Sequence, residues 1–111
     1  MSFVYLASPY SHPSEEVRES RFAIACSVAA ELMLSGYTVF CPIAHSHPIS
    51  KEMTKGAAID FAFWMKQDLP ILSKAQKLFL LKLPGWENSK GMQKEISFAK
   101  ENNIPIVEIR I

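Results

Sequence analysis

Short unbroken apolar runs alternate along this chain with longer stretches whose apolar residues recur at helical spacing. "FVYLA" (3–7) is such a run, and it stops at the loop-like "SPYSHPS". That length and those flanks predict a buried strand. Ser14 followed by Glu15 and Glu16 predicts a helix start, because acids favour the first turn. The helix should run over 15–35, with Phe22, Cys26, Ala29, Ala30 and Met33 at helical spacing and Gly36 closing it. "YTVFCP" (37–42) predicts a second strand, and 43–57 a long connection of the kind that is functional or disordered.

A second helix is expected over 58–75, with Pro70 kinking or dividing it. "KLFLLKL" (77–83) predicts a strand, "PGWENS" (84–89) a turn, 89–102 a helix and "PIVEIRI" (105–111) a closing strand. Alternating strands and helices predict a single α/β domain over 1–111: a flavodoxin- or Rossmann-like three-layer fold with four to five mainly parallel strands. In such folds ligands bind beyond the carboxyl ends of the strands. Those ends lead into "SPYSHPS", "PIAHSHPIS" and "PGWENSKG", so the polar chemistry gathers on one rim.

Two acids break the helical pattern. With Met92 at zero on a helical wheel, Ile96 lies at about 40°, Ala99 at about 340° and Glu95 at about 300°. Asp68 falls within the arc of Phe61, Trp64, Met65 and Leu72 in the same way. An acid facing apolar surroundings loses hydration and its pKa rises. Each could be a carboxylate at the core edge, capping an N–H or pairing with Arg18 or Arg21. Two of them at one rim point instead to a site. Paired carboxylates suit glycosidic chemistry, which passes through an oxocarbenium-like state. Ser89 and Gly91 at the start of the last helix make a plausible anion or phosphate seat, though the same pair describes an ordinary cap.

Composition narrows the function. The chain has 111 residues and carries 12 Lys+Arg against 11 Asp+Glu, which speaks against non-specific nucleic-acid binding. A 49% hydrophobic content supports a packed core. No apolar run approaches a membrane span and no signal peptide is visible, so a cytoplasmic protein off the membrane is expected. Cys26 and Cys41 lie in apolar segments, as buried reduced thiols do. His45 and His47 in "HSHP" could contact substrate from the 43–57 loop or belong to a plain polar loop. Spacing offers no third ligand for a metal. Asp60 is either a second acid near the site or a solvated one. Trp64 could stack on a base or join the core. Trp86, in a turn, suits a lid or a subunit contact, and "KEMTK" (51–55) a solvated loop.

"QDLPILSKAQKLFLLK" followed by "SKGMQKEISFAKENNIPIV" resembles the nucleoside 2-deoxyribosyltransferase superfamily over about two thirds of the chain. The shared pattern is Asp-Leu near a helix end, a strand, Ser or Asp, Gly, and Glu six residues after the Ser or Asp, with "VYLASPY" similar to the first strand and substrate loop. A Ser at position 89 is closest to the 2′-deoxynucleoside 5′-monophosphate N-glycosidases. "FCPIAHSHPIS" and "GWENSKG" are also similar to a short bacterial and phage group of uncharacterised function. The resemblance implies Glu95 as nucleophile and Asp68 as the acid that helps the base leave and orients the site. It implies Ser89 and Gly91 on the phosphate side, Tyr5 near the sugar, and Ser8 and Ser11 in the phosphate loop with Tyr10 beside them. That loop usually holds Gly and a basic residue; here it reads Ser8-Pro9-Tyr10-Ser11-His12, leaving His12, Arg18 or Arg21 as the nearest cation. No cofactor is implied, and a homodimer or larger homo-oligomer is. The substrate would be a small nucleoside or nucleotide. A non-catalytic module holding a nucleotide or ADP-ribose-like ligand is the alternative, and a small interaction protein with structural acids is a third.

Overall fold

The computed structural model describes residues 2–53 and 59–110. Four strands, β1 (Val4–Ala7), β2 (Val39–Phe40), β3 (Lys77–Leu81) and β4 (Ile106–Ile109), form one sheet in the order β2-β1-β3-β4. All three pairings are parallel, with Tyr5 beside Phe40 and Leu78, and Leu80 beside Glu108. The helices are α1 (Glu15–Leu34), α2 (Pro42–Ser50), α3 (Phe61–Leu72) and α4 (Lys90–Glu101), with a 3-10 turn at Trp86–Asn88. Residues 54–58, which hold the end of the expected "KEMTK" loop and the start expected for the second helix, lie outside the described residues, as does Ile111 in the expected last strand.

Strand pleating divides the core into two layers, since successive side chains point to opposite faces. Val4, Leu6, Phe79 and Leu81 pack with Ala25, Val28 and Ala29 of α1 and with Cys41 and Ile43. Tyr5, Ala7, Leu78 and Leu80 pack with Leu72 of α3 and Met92 and Ala99 of α4. The fold is therefore the expected α/β/α sandwich, α1 and α2 on one face and α3 and α4 on the other.

Three expectations are corrected. The connection at 43–57 contains a helix, α2. Pro42 opens it at a position where a missing N–H costs nothing, and Pro48 interrupts the apolar spacing that would have revealed it. The buried face of α1 is Ala25, Val28 and Ala29, while Met33 is 53% exposed; apolar residues surround α1 so evenly that spacing alone could not choose a side. Pro70 does not divide α3, because it sits in the last turn and the helix ends two residues later at Leu72.

Candidate active site

Strand order reverses direction at β1. The chain leaves β1 for β2 on one side, and β3 lies on the other. Loops after β1 and β3 must diverge there, and crevices at such switch points are where open α/β sheets bind ligands. A cavity of about 680 Å³ occupies this place, lined by Ala7 at the end of β1 and Ser8 just after it, from α2 by Ser46 and His47, from α3 by Trp64 and Asp68, and from α4 by Gly91 and Glu95.

Two arginines hold the mouth in shape. Arg21 donates to the Ser11 carbonyl at 3.0 Å and to the Pro84 carbonyl at 3.1 Å, tying the loop after β1 to the loop after β3. Arg18 donates to the carbonyls of His12 and Pro13. Gly85 has φ +91°, and a Cβ there would lie 2.7 Å from Arg21 Nη2, so only glycine serves both the turn and the clamp. Neither arginine pairs with Asp68 or Glu95; both are used on backbone carbonyls.

Glu95 lies at the cavity floor and is 5% exposed. Among the described residues its single side-chain partner is the Tyr5 hydroxyl, which donates to Oε2. Burial pushes the Glu95 carboxyl up to about 8; the Tyr5 bond opposes the rise and the Asp68 charge adds to it. Asp68, 7% exposed, comes from α3, which packs on α4. Burial raises its carboxyl to about 6, with His45 pulling it down. Burial raises the Tyr5 phenol far above its usual range, with Glu95 next in effect, so Tyr5 stays a donor. Among the described residues no Lys, Arg or His makes an ion pair with either acid.

The other expected site residues are placed as follows. Ser8, Tyr10, Ser11, His47, Ser89 and Gly91 all line the cavity. Tyr5 reaches it only through Glu95. His45 is exposed, stands outside the lining and touches Phe40, acting on Asp68 through charge alone. His47 is buried between Tyr10 and Glu19. The Ser8 hydroxyl is buried with no hydrogen-bond partner among the described residues, an open donor in the cavity wall. Ser89 caps α4, its Oγ accepting from the Met92 N–H at 3.2 Å, which leaves the hydroxyl proton free to donate. Asp60 lines the mouth and caps α3 through the Phe63 N–H at 2.9 Å. Trp64 is half-buried on the wall. Trp86 packs against the core, with Lys82 over its ring at 4.4 Å.

Sequence reasoning missed Lys90, an exposed cation on the cavity lining at the first position of α4. A signal was present: α4 opens with lysine and has no acid in its first turn, against the preference of the helix dipole. An anion bound there would reverse that mismatch. Cys26 and Cys41 are free thiols, and burial pushes Cys41 up to about 11. Among the described residues no group of three His, Cys, Asp or Glu side chains gathers as metal ligands do, and no helix is long and apolar enough to cross a membrane.

A family model described as "Domain of unknown function (DUF1937)" matches residues 2–110. The chain belongs to this family. No curated protein sequence matches it. The DUF1937 match spans both walls of the cavity, from Ser8 to Glu95.

Proposed function

We propose that the protein breaks the N-glycosidic bond of a nucleoside or nucleoside 5′-monophosphate, with Glu95 as nucleophile. The observation that carries this is Glu95 itself: a buried carboxylate on a cavity floor, held by one phenol and, among the described residues, by no cation. A carboxylate so placed is costly to the fold and suited to a developing cation. In this mechanism Glu95 forms a bond to the anomeric carbon, and the C–N bond breaks with its electron pair going to the base. Asp68 orients the site and assists departure. Water, or a second base, then cleaves the ester and frees Glu95.

The resemblance to nucleoside 2-deoxyribosyltransferases supports this assignment, as do the residues at the mouth. Ser89, the free N–H groups at the start of α4, Lys90 and the Ser8 hydroxyl offer donors to the polar end of a nucleotide. Free thiols agree with action in the cytoplasm. A homo-oligomer belongs to the same proposal, supported by exposed Met33, Leu34 and Tyr37 at the end of α1 and just beyond it, and sedimentation tests it. The decisive experiment incubates the protein with nucleosides and their monophosphates and follows free base by chromatography. Base should appear with the wild type and not with Glu95→Ala; release at equal rates from both ends the proposal.

One observation favours a second reading, a module that binds a nucleotide or ADP-ribose-like ligand without turnover. Both arginines near the mouth are occupied by carbonyls, leaving one lysine among the described residues as the cation on the lining. Thermal stabilisation by such a ligand with no base released would select this reading.

A further inference from the structure

On the wall facing α4, Tyr10 and His47 form a second built arrangement. The Tyr10 hydroxyl lies 2.6 Å from His47 Nδ1. The other ring nitrogen, Nε2, lies 3.1 Å from Glu19 Oε1, within ion-pair distance though off the line of a straight hydrogen bond. Lys51 holds the same Glu19 oxygen at 2.9 Å. Phe22 stacks on the imidazole at 4.0 Å between ring centres, and the Ser50 hydroxyl fixes the His47 carbonyl at 2.7 Å. A buried histidine gripped on every side is set in orientation, as the base of a nucleophile–base–acid set must be.

Its tautomer follows from its partners. A carboxylate accepts only, so Glu19 favours the proton on Nε2. Nδ1 is then an acceptor, and Tyr10 donates to it. The lone pairs of the Tyr10 oxygen remain for the cavity that Tyr10 lines. Burial raises the Tyr10 phenol, so it passes protons along rather than ionising.

Resting on the glycosidase reading, we propose that Tyr10, backed by His47 and Glu19, is the base that activates the incoming water or acceptor. Glu95 belongs to the α3–α4 layer and Tyr10 to the α1–α2 layer, on opposite sides of the sheet. An acceptor reaches the anomeric carbon from the side away from the ester it displaces. Tyr10 is on the wall across from Glu95 and lines the cavity there. In this step a water O–H proton passes to Tyr10 while the Tyr10 proton passes to His47 Nδ1. The water oxygen bonds to the anomeric carbon, and the C–O bond to Glu95 breaks with its electron pair returning to the carboxylate. The imidazolium faces Glu19 until it returns its proton to solvent. Tyr10 is the catalytic residue, and His47 and Glu19 are positioning residues.

The test separates ester formation from ester discharge, using a burst measurement with deoxynucleoside monophosphates and intact-protein mass. Tyr10→Phe should release one base per chain at about the wild-type burst rate and then turn over about 100-fold more slowly or worse. A sugar adduct lost in Glu95→Gln should accumulate. His47→Asn should behave alike, and Glu19→Gln, a half-exposed change, should slow discharge less. Nitrogen NMR of the resting wild type should show the imidazole proton on Nε2. Discharge by Tyr10→Phe at the wild-type rate, or a proton found on Nδ1, overturns the relay and leaves the glycosidase reading standing. No base from the wild type with any nucleotide overturns both.

Discussion

The Tyr5 hydroxyl donates to the Glu95 carboxylate across 90 residues of sequence, joining the second residue of β1 to the middle of α4. Tyr5 is fully buried and its ring leans on Phe40 of β2, so the donor cannot swing away. Among the described residues the phenol is the one feature that favours the ionised form of Glu95 against burial and Asp68.

Removing that donor should therefore cost activity without emptying the core. Tyr5→Phe keeps the ring and leaves Glu95 to desolvation, so its pKa rises further. A hydrogen bond to a charged group contributes about 1.5–3 kcal/mol, a loss of roughly 10- to 100-fold in base release near neutral pH. The rate should recover partly as pH rises. An unchanged rate and profile would show that this contact does not serve the reaction.

The two acids also predict a stability that runs against ordinary acid denaturation. Both folded-state carboxyls lie above their ordinary values, about 6 for Asp68 and about 8 for Glu95. The folded state thus holds these protons more tightly than the unfolded chain. Their contribution is full below about pH 4 and is lost as pH rises through 6 and then 8. Glu95→Gln and Asp68→Asn remove the charge to be buried. Each should raise stability by about 1–3 kcal/mol near pH 8–9, with the gain vanishing near pH 4. Melting curves at the two pH values check this, and an equal gain at both contradicts it.

Much of this arrangement was legible in sequence. Glu95 and Asp68 were visible because an acid inside an apolar arc is a local contradiction, and α4 buries Met92, Glu95 and Ala99 as the wheel requires. The strand runs were visible because a strand buried on both faces is apolar throughout, as "VYLA" and "LFLL" are. What was hidden depends on pairing between distant segments. Arg18 and Arg21 looked like partners for the acids, but carbonyls of two loops reach them first. His45 and His47 looked equivalent, and the turn of α2 exposes one and buries the other. No spacing rule reveals that Glu19 of α1 lies against His47.

The pair should set the pH dependence of base release. Below about 6 Asp68 and Glu95 together hold two protons, and above about 8 none. Between these values the pair holds one proton, mostly on Glu95, and the reacting form is the one with that proton on Asp68 and the charge on Glu95. A plot of kcat/KM against pH should be a bell with limbs near 6 and 8. In Asp68→Asn the charge that pushes Glu95 up is gone, so the remaining rise should fall below the wild-type basic limb. A flat profile, or an Asp68→Asn profile with both original limbs, would remove the pair from the mechanism.

Binding at the mouth can be separated from folding at Ser8 and Gly91. The Ser8 hydroxyl has no partner among the described residues, so Ser8→Ala sacrifices no hydrogen bond there and should match or exceed wild-type stability. A Cβ at Gly91 would meet the Met65 methyl at 3.7 Å, ordinary contact, and alanine is favoured in a helix by about 0.5–1 kcal/mol. Gly91→Ala should therefore melt higher than wild type. With both residues facing the substrate, KM should rise in each variant: roughly 5- to 10-fold in Ser8→Ala for one lost hydrogen bond, and in Gly91→Ala because the added methyl stands where the ligand approaches the backbone. Melting temperature and KM measured side by side give the answer: two folded, stable variants with unchanged KM would place the nucleotide elsewhere in the cavity. A stability gain joined to a loss of binding is what residues kept for a ligand, and not for the fold, should show.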